Sequence, residues 1–165
     1  MGAGKSSIGR RLATRMAVDF FDADNEIEAA AGRPIPDIFA TYGETAFRDC
    51  ERKVISRLVA EKPPHVLATG GGAFMAAETR EQLKANTVTV WLRAPLDILF
   101  ARVKRKSNRP LLKTADPRGT LEKLLTEREP TYALADITVD SQNAPHEIAV
   151  ERLMSTLTET RIWLP

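Results

Sequence analysis

The sequence contains one cysteine, Cys50, and only two histidines, His65 and His146. A single thiol excludes an internal disulfide framework, and so few thiols and imidazoles leave a Cys/His zinc site short of ligands. No stretch approaches the roughly eighteen consecutive apolar residues of a membrane span, and no apolar leader opens the chain. A soluble, cytoplasmic domain is therefore expected. Charge of one sign is also missing: 24 basic against 22 acidic side chains leave a formal net charge of +2. That balance makes neither nucleic acid nor an anionic membrane the default partner. The 165 residues, 43% hydrophobic and 28% charged, suit one globular domain spanning 1–165 and exclude a disordered chain.

What is present begins at once. Met1 is followed by Gly2-Ala3-Gly4-Lys5-Ser6-Ser7, the second half of a phosphate-binding loop. Gly2 and Gly4 let the backbone curl so that its N–H groups face phosphate oxygens. Lys5 can reach the β- and γ-phosphates, and the Ser6 hydroxyl can ligate Mg²⁺. Ile8, Leu12 and Met16 then recur at helical spacing, so a helix N-terminus would face the same anion. The complete pattern needs a further glycine two positions before Met1 and a buried strand before that. On these residues alone, a nucleotide loop and a plain N-terminal tail entering a helix both remain open.

Downstream, the pattern alternates. Strands are expected at 19–22, 66–68, 88–92 and 137–139, with helices at 25–31, 44–61, 76–86, 95–106, 119–128 and 145–159. Pro34 and Pro36 are expected to enforce a turn. Strands alternating with helices predict an α/β fold whose parallel sheet is covered on both faces. Residues 107–118 carry turn formers and charge between two helices, and suit a lid.

Ligands of such sheets gather beyond the carboxyl ends of the strands, and three groups of residues fall there. The first is the phosphate loop. The second is Asp22-Ala23-Asp24: two carboxylates on one face if the segment stays extended, although Asp24 would serve equally well as the cap of a helix starting at Asn25. The third is Gly70-Gly71-Gly72, directly after a strand, where a turn needing positive φ accounts for one glycine and close approach of a ligand accounts for three. Arg48 and Glu51 stand three apart on the longest helix, either as a solvated surface pair or as a guanidinium fixed for an anionic substrate. Arg109 could swing onto a transferring phosphate. Arg128, in Glu-Arg-Glu-Pro-Thr-Tyr, reads as a cleft arginine or as a charge favouring a helix C-terminus.

Together the ordered motifs resemble shikimate kinase from Met1 to about Asp140: Gly-Ala-Gly-Lys-Ser-Ser-Ile-Gly, Phe-Xaa-Asp-Xaa-Asp, Phe-Arg-Xaa-Xaa-Glu, the triple glycine, Arg-Pro-Leu-Leu and Arg-Xaa-Pro-Xaa-Tyr. The resemblance implies a P-loop kinase-type three-layer sandwich with strand order 2-3-1-4-5. It also implies ATP-dependent phosphorylation of the 3-hydroxyl of shikimate, a step of aromatic amino-acid (chorismate) biosynthesis, with Mg²⁺ as cofactor. By the same resemblance Gly2, Ala3, Gly4, Lys5, Ser6, Ser7 and Arg109 are expected to bind ATP, and Ser6 and Asp22 to hold Mg²⁺. The substrate segment, about 23–61, would supply Asp24, Phe39, Phe47, Arg48 and Glu51; Gly70, Gly71, Gly72 and Arg128 complete the substrate site. Lys5, Asp24 and Arg109 carry the expected catalytic roles, Asp24 as general base. A monomer binding ATP and shikimate is expected.

Two departures accompany the resemblance. Ser141-Gln142-Asn143 has no arginine where some members place one against adenine. The family's first strand, central in its sheet, has no counterpart ahead of Met1, so the chain is expected to be truncated or to start at an internal methionine. That departure leaves a non-catalytic, kinase-like binding module as the alternative.

Overall fold

The gap expected in the sheet is visible in the computed structural model, which describes residues 2–61, 64–104, 114–141 and 145–160. The chain runs α1 (Lys5–Met16), β1 (Asp19–Asp22), α2 (Ala23–Ala31), α3 (Ile35–Glu61), β2 (His65–Ala68), a 3₁₀ turn (Ala73–Met75), α4 (Ala77–Asn86), β3 (Val90–Arg93), α5 (Leu96–Lys104), α6 (Pro117–Tyr132), β4 (Ile137–Asp140) and α7 (His146–Glu159). Strands β1 and β2 pair in parallel, Asp19 opposite His65 and Asp22 opposite Ala68. Strands β3 and β4 also pair in parallel, Val90 opposite Ile137 and Arg93 opposite Asp140. Among the described residues the two pairs share no ladder.

Between them lies a cavity of about 720 Å³, lined by Val66, Leu67 and Ala68 of β2, Val90, Trp91 and Leu92 of β3, and apolar side chains of α1 and α7. Among the described residues, the strand edges facing it have no further strand to pair with. Val90 is 38% exposed although it sits toward the middle of the sheet, where parallel strands are ordinarily buried on both faces. The four strands thus take the expected order, with a slot where the resemblance places its central strand.

Helices cover both faces. Ile8 and Leu12 of α1 pack with Val150, Leu153 and Leu157 of α7 and with Ile137 and Val139 of β4. Val66 joins this cluster, while its neighbour Leu67 packs on the other side against residues of α3 and α4. Alternation with period two, on a sheet covered twice, produces the three layers.

Several expectations need correction. The chain does not stay extended through Asp24: α2 starts at Ala23, and Asp22, not Asp24, caps it by accepting a bond from the Asp24 N–H at 3.2 Å. Pro34 and Pro36 begin α3 rather than merely turning the chain, since the Pro34 carbonyl accepts from the N–H groups of Asp37 and Ile38; proline lacks a donor that the first helical turn does not use. The helix expected from Glu44 is preceded by about two further turns, and Gly43, at φ 79° and ψ 177°, marks the break between them. Helix α6 begins at Pro117 and continues past Arg128 to Tyr132, passing through Pro130. Proline at 130 removes one helical N–H, yet the helix closes normally beyond it, the Ala133 N–H donating to the Glu129 carbonyl at 2.9 Å. Strand β3 starts at Val90, two residues later than expected.

Candidate active site

The phosphate loop has the backbone its glycines allow. Gly2 (φ 71°) and Gly4 (φ 90°) occupy the left-handed region, and Gly4, which has no side chain, stands at the N-cap of α1. The loop is tied from behind by two residues that were not among the expected site residues. The Ser141 hydroxyl donates to the Ala3 carbonyl at 3.0 Å, and Arg102 Nη1 donates to Ser141 Oγ at 3.0 Å and to the Gly2 carbonyl at 3.4 Å. Ser141 is 3% exposed, and a serine continuing β4 beneath a phosphate loop was its only signal. Lys5 and Ser6 open α1, with Ser7 following, so their N–H groups belong to the first turn and have no carbonyl of their own helix to bond. Ser6 Oγ donates to Asp22 Oδ2 at 2.6 Å. This brings the two expected Mg²⁺ residues into contact. Arg109 and residues 107–113 of the expected lid lie outside the described residues.

Each glycine of the triplet meets a different functional group. A Cβ on Gly70 would stand 2.7 Å from Glu51 Oε1 and 3.3 Å from Asp24 Oδ1. On Gly71 it would approach the Tyr132 hydroxyl at 3.2 Å and Arg128 Nη1 at 3.3 Å. On Gly72 it would overlap Arg48 Nη1 and lie 2.6 Å from Arg48 Cζ. None of the three has a positive φ. Close approach, not backbone conformation, explains the run. The turn therefore gathers Asp24 from α2, Arg48 and Glu51 from α3, and Arg128 and Tyr132 from α6. Tyr132 was not among the expected site residues; its signal was the last position of Arg-Xaa-Pro-Xaa-Tyr.

Arg48 Nη1 donates to Glu51 Oε2 at 2.7 Å and its fork also reaches Glu44 Oε1. Its Cζ lies 5.0 Å from the Phe47 ring centroid, and Phe47 packs on Phe39 with centroids 4.6 Å apart. Phe47 is buried, whereas Phe39 is 37% exposed and presents an apolar wall. Glu51 is only 3% exposed, and its Oε1 has no hydrogen-bond partner. Burial lifts the Glu51 carboxyl above its ordinary range. The bond to Arg48 and its charge pull the other way without cancelling the rise, to which the Asp24 and Glu44 carboxylates add. Burial also pulls the Arg48 guanidinium down, but Glu51 and Glu44 outweigh it, so Arg48 stays charged.

A carboxyl raised in the folded state binds protons more readily there than in the unfolded chain. Its contribution to stability is therefore complete below the ordinary value of 4.5 and is lost as pH rises through the folded value. Urea unfolding of the wild type and of Glu51→Gln across that range should give profiles that converge toward low pH on the wild-type side and diverge above it. Parallel profiles would show that Glu51 titrates normally.

Ser6 and Asp22 offer a hydroxyl and a carboxylate oxygen 2.6 Å apart beside a helix N-terminus. Hard oxygen donors with few protein ligands suit Mg²⁺, which keeps water and substrate phosphates in its shell. The residues present fit the ion.

Comparison with known proteins agrees with this geometry. The shikimate kinase family model matches residues 1–158. The shikimate kinase of Bradyrhizobium diazoefficiens is 55% identical over 157 residues, covering 95% of this chain and 75% of that protein.

The chain belongs to the shikimate kinase family.

The shikimate kinase of Caulobacter vibrioides is likewise 55% identical, over 95% of this chain and 78% of its own length. A solved shikimate kinase from Acinetobacter baumannii, in complex with shikimate, superposes with a TM-score of 0.92 at 36% identity, covering 99% of this chain and 91% of the other. That likeness supports the P-loop kinase fold inferred from the sequence. No helix among the described residues is long and apolar enough to cross a membrane.

Proposed function

We propose how this site divides the work of ATP-dependent shikimate phosphorylation, the activity that family membership gives the chain. It is a phosphotransferase with an alcohol acceptor, acting in aromatic amino-acid biosynthesis. The observation that carries the assignment of roles is the convergence of two arginines and two carboxylates on one glycine turn. Arg48 and Arg128 flank Gly71-Gly72 from α3 and α6, and grip the carboxylate of shikimate. Asp24, beside Gly70, accepts the hydroxyls and takes the proton from the 3-hydroxyl as it attacks the γ-phosphorus. The exposed edge of Phe39, backed by Phe47, lies against the ring's apolar side.

At the other end, the N–H groups of Gly2 to Ser7 and the Lys5 ammonium hold the phosphates of ATP. Ser6 and Asp22 would hold Mg²⁺, which would supply neutralisation of the negative charge on the nucleotide phosphates. Arg109 is assigned to the transferring phosphoryl group. Asp22 does two jobs: it caps α2 and meets Ser6, so it fixes the entry to the substrate helix relative to the phosphate loop.

Neutralising the substrate carboxylate tests the arginine grip. A charge-assisted bond contributes about 1.5–3 kcal/mol, so shikimate methyl ester should show kcat/KM lower by at least about a hundredfold. Equal turnover of acid and ester would remove Arg48 and Arg128 from the substrate site.

A further inference from the structure

We propose that Tyr132 is a positioning residue that keeps Arg128 available to the substrate carboxylate; this rests on the reading of Arg128 given above. Tyr132 and Arg128 stand four apart on α6 and share a face. Both donate to one acceptor, the Gly71 carbonyl: the Tyr132 hydroxyl at 2.5 Å and Arg128 Nη1 at 3.4 Å. The short bond belongs to the tyrosine and the long one to the arginine. The Tyr132 ring is held in turn by Trp91 of β3, with centroids 6.1 Å apart.

The physical consequence concerns what happens when an anion arrives. Arg128 must leave the Gly71 carbonyl or share itself with it. A part-buried carbonyl that loses its only donor is left desolvated without a hydrogen bond, which is unfavourable. Because Tyr132 already satisfies it, Arg128 can turn to a carboxylate without that penalty. The hydroxyl also fixes the Gly71 peptide against α6, which sets how far Arg128 stands from the turn. Without the hydroxyl, Arg128 becomes the sole side-chain donor to Gly71 among the described residues, and the carbonyl competes with the substrate for it.

The test is Tyr132→Phe, which keeps the ring and its packing on Trp91 and removes only the hydroxyl. Steady-state kinetics should show KM for shikimate rising about five- to thirtyfold, with KM for ATP and kcat within about twofold. Combined with Arg128→Ala, the effect should disappear: the double variant should match Arg128→Ala alone in KM for shikimate. A merely structural tyrosine would lower the unfolding midpoint, move both KM values and add to Arg128→Ala. Additivity, or an unchanged KM for shikimate in Tyr132→Phe, would overturn the proposal. Absence of shikimate turnover by the unaltered chain would overturn both this proposal and the substrate reading; a missing Tyr132 effect alone leaves that reading standing.

Discussion

Arg48→Ala should raise KM for shikimate about ten- to a hundredfold while leaving KM for ATP unchanged, since one charge-assisted contact to a carboxylate contributes about 1.5–3 kcal/mol. The same substitution strips Glu51 of the cation that balances its buried carboxylate, so the unfolding midpoint should fall as well. Arg48→Lys separates the two effects: it keeps the charge near Glu51 but lacks the planar fork, and should retain stability better than affinity. Gly72→Ala reaches the same guanidinium from the opposite side. Its Cβ would lie 2.6 Å from Arg48 Cζ and Nη2, and Arg48 cannot yield without leaving Glu51. Its KM for shikimate should rise with no loss of charge. A KM for shikimate within twofold of wild type in both Arg48→Ala and Gly72→Ala would remove Arg48 from the substrate site.

The second large effect concerns the slot between β2 and β3. An extended apolar segment of about five residues, joined ahead of Met1, would find two parallel strand edges that, among the described residues, have no further strand to pair with. Burying such residues stabilises by about 1.5–3 kcal/mol each, against about 1–2 kcal/mol each for ordering the backbone. With the added ladder bonds the net gain should reach about 2–5 kcal/mol, or about 5–20 °C in the unfolding midpoint for a chain of this size. Trp91 lines the cavity, so its fluorescence should shift as the slot fills. A control segment with proline at its centre, which cannot pair on both sides, should give neither change. Equal stabilisation by both segments would show that the cavity does not accept a strand.

How much of this was legible beforehand follows from the range of each interaction. The phosphate loop, the Phe-Arg-Xaa-Xaa-Glu pair and the glycine triplet are local patterns, and the structure brings the last two together. The alternation of strands with helices carries the α/β class, whereas the strand order comes from the family resemblance and not from periodicity. What the sequence hid was long-range. Ser141 reaches Ala3 across 138 positions and Arg102 reaches Gly2 across 100, and no local periodicity encodes such contacts. The role of Tyr132 depends on a carbonyl 61 positions away. Which of Asp22 and Asp24 caps the helix was not legible, because both are carboxylates within one turn; the structure gives the cap to Asp22. The Ser6 contact, from another element, adds a second bond to that same carboxylate. For the glycine triplet, the structure shows that three different sets of neighbours, rather than one turn, account for the run.

The account stands most directly on product formation with shikimate. The chain, alone and with the slot-filling segment, should be incubated with ATP, Mg²⁺ and either shikimate or gluconate, with ADP release followed and the phosphorylated product identified by NMR. The account predicts ADP released in proportion to shikimate consumed, phosphorylation at the 3-hydroxyl, and little reaction with gluconate. Phosphorylation of gluconate in preference to shikimate, or no shikimate phosphate from either form of the chain, would contradict it.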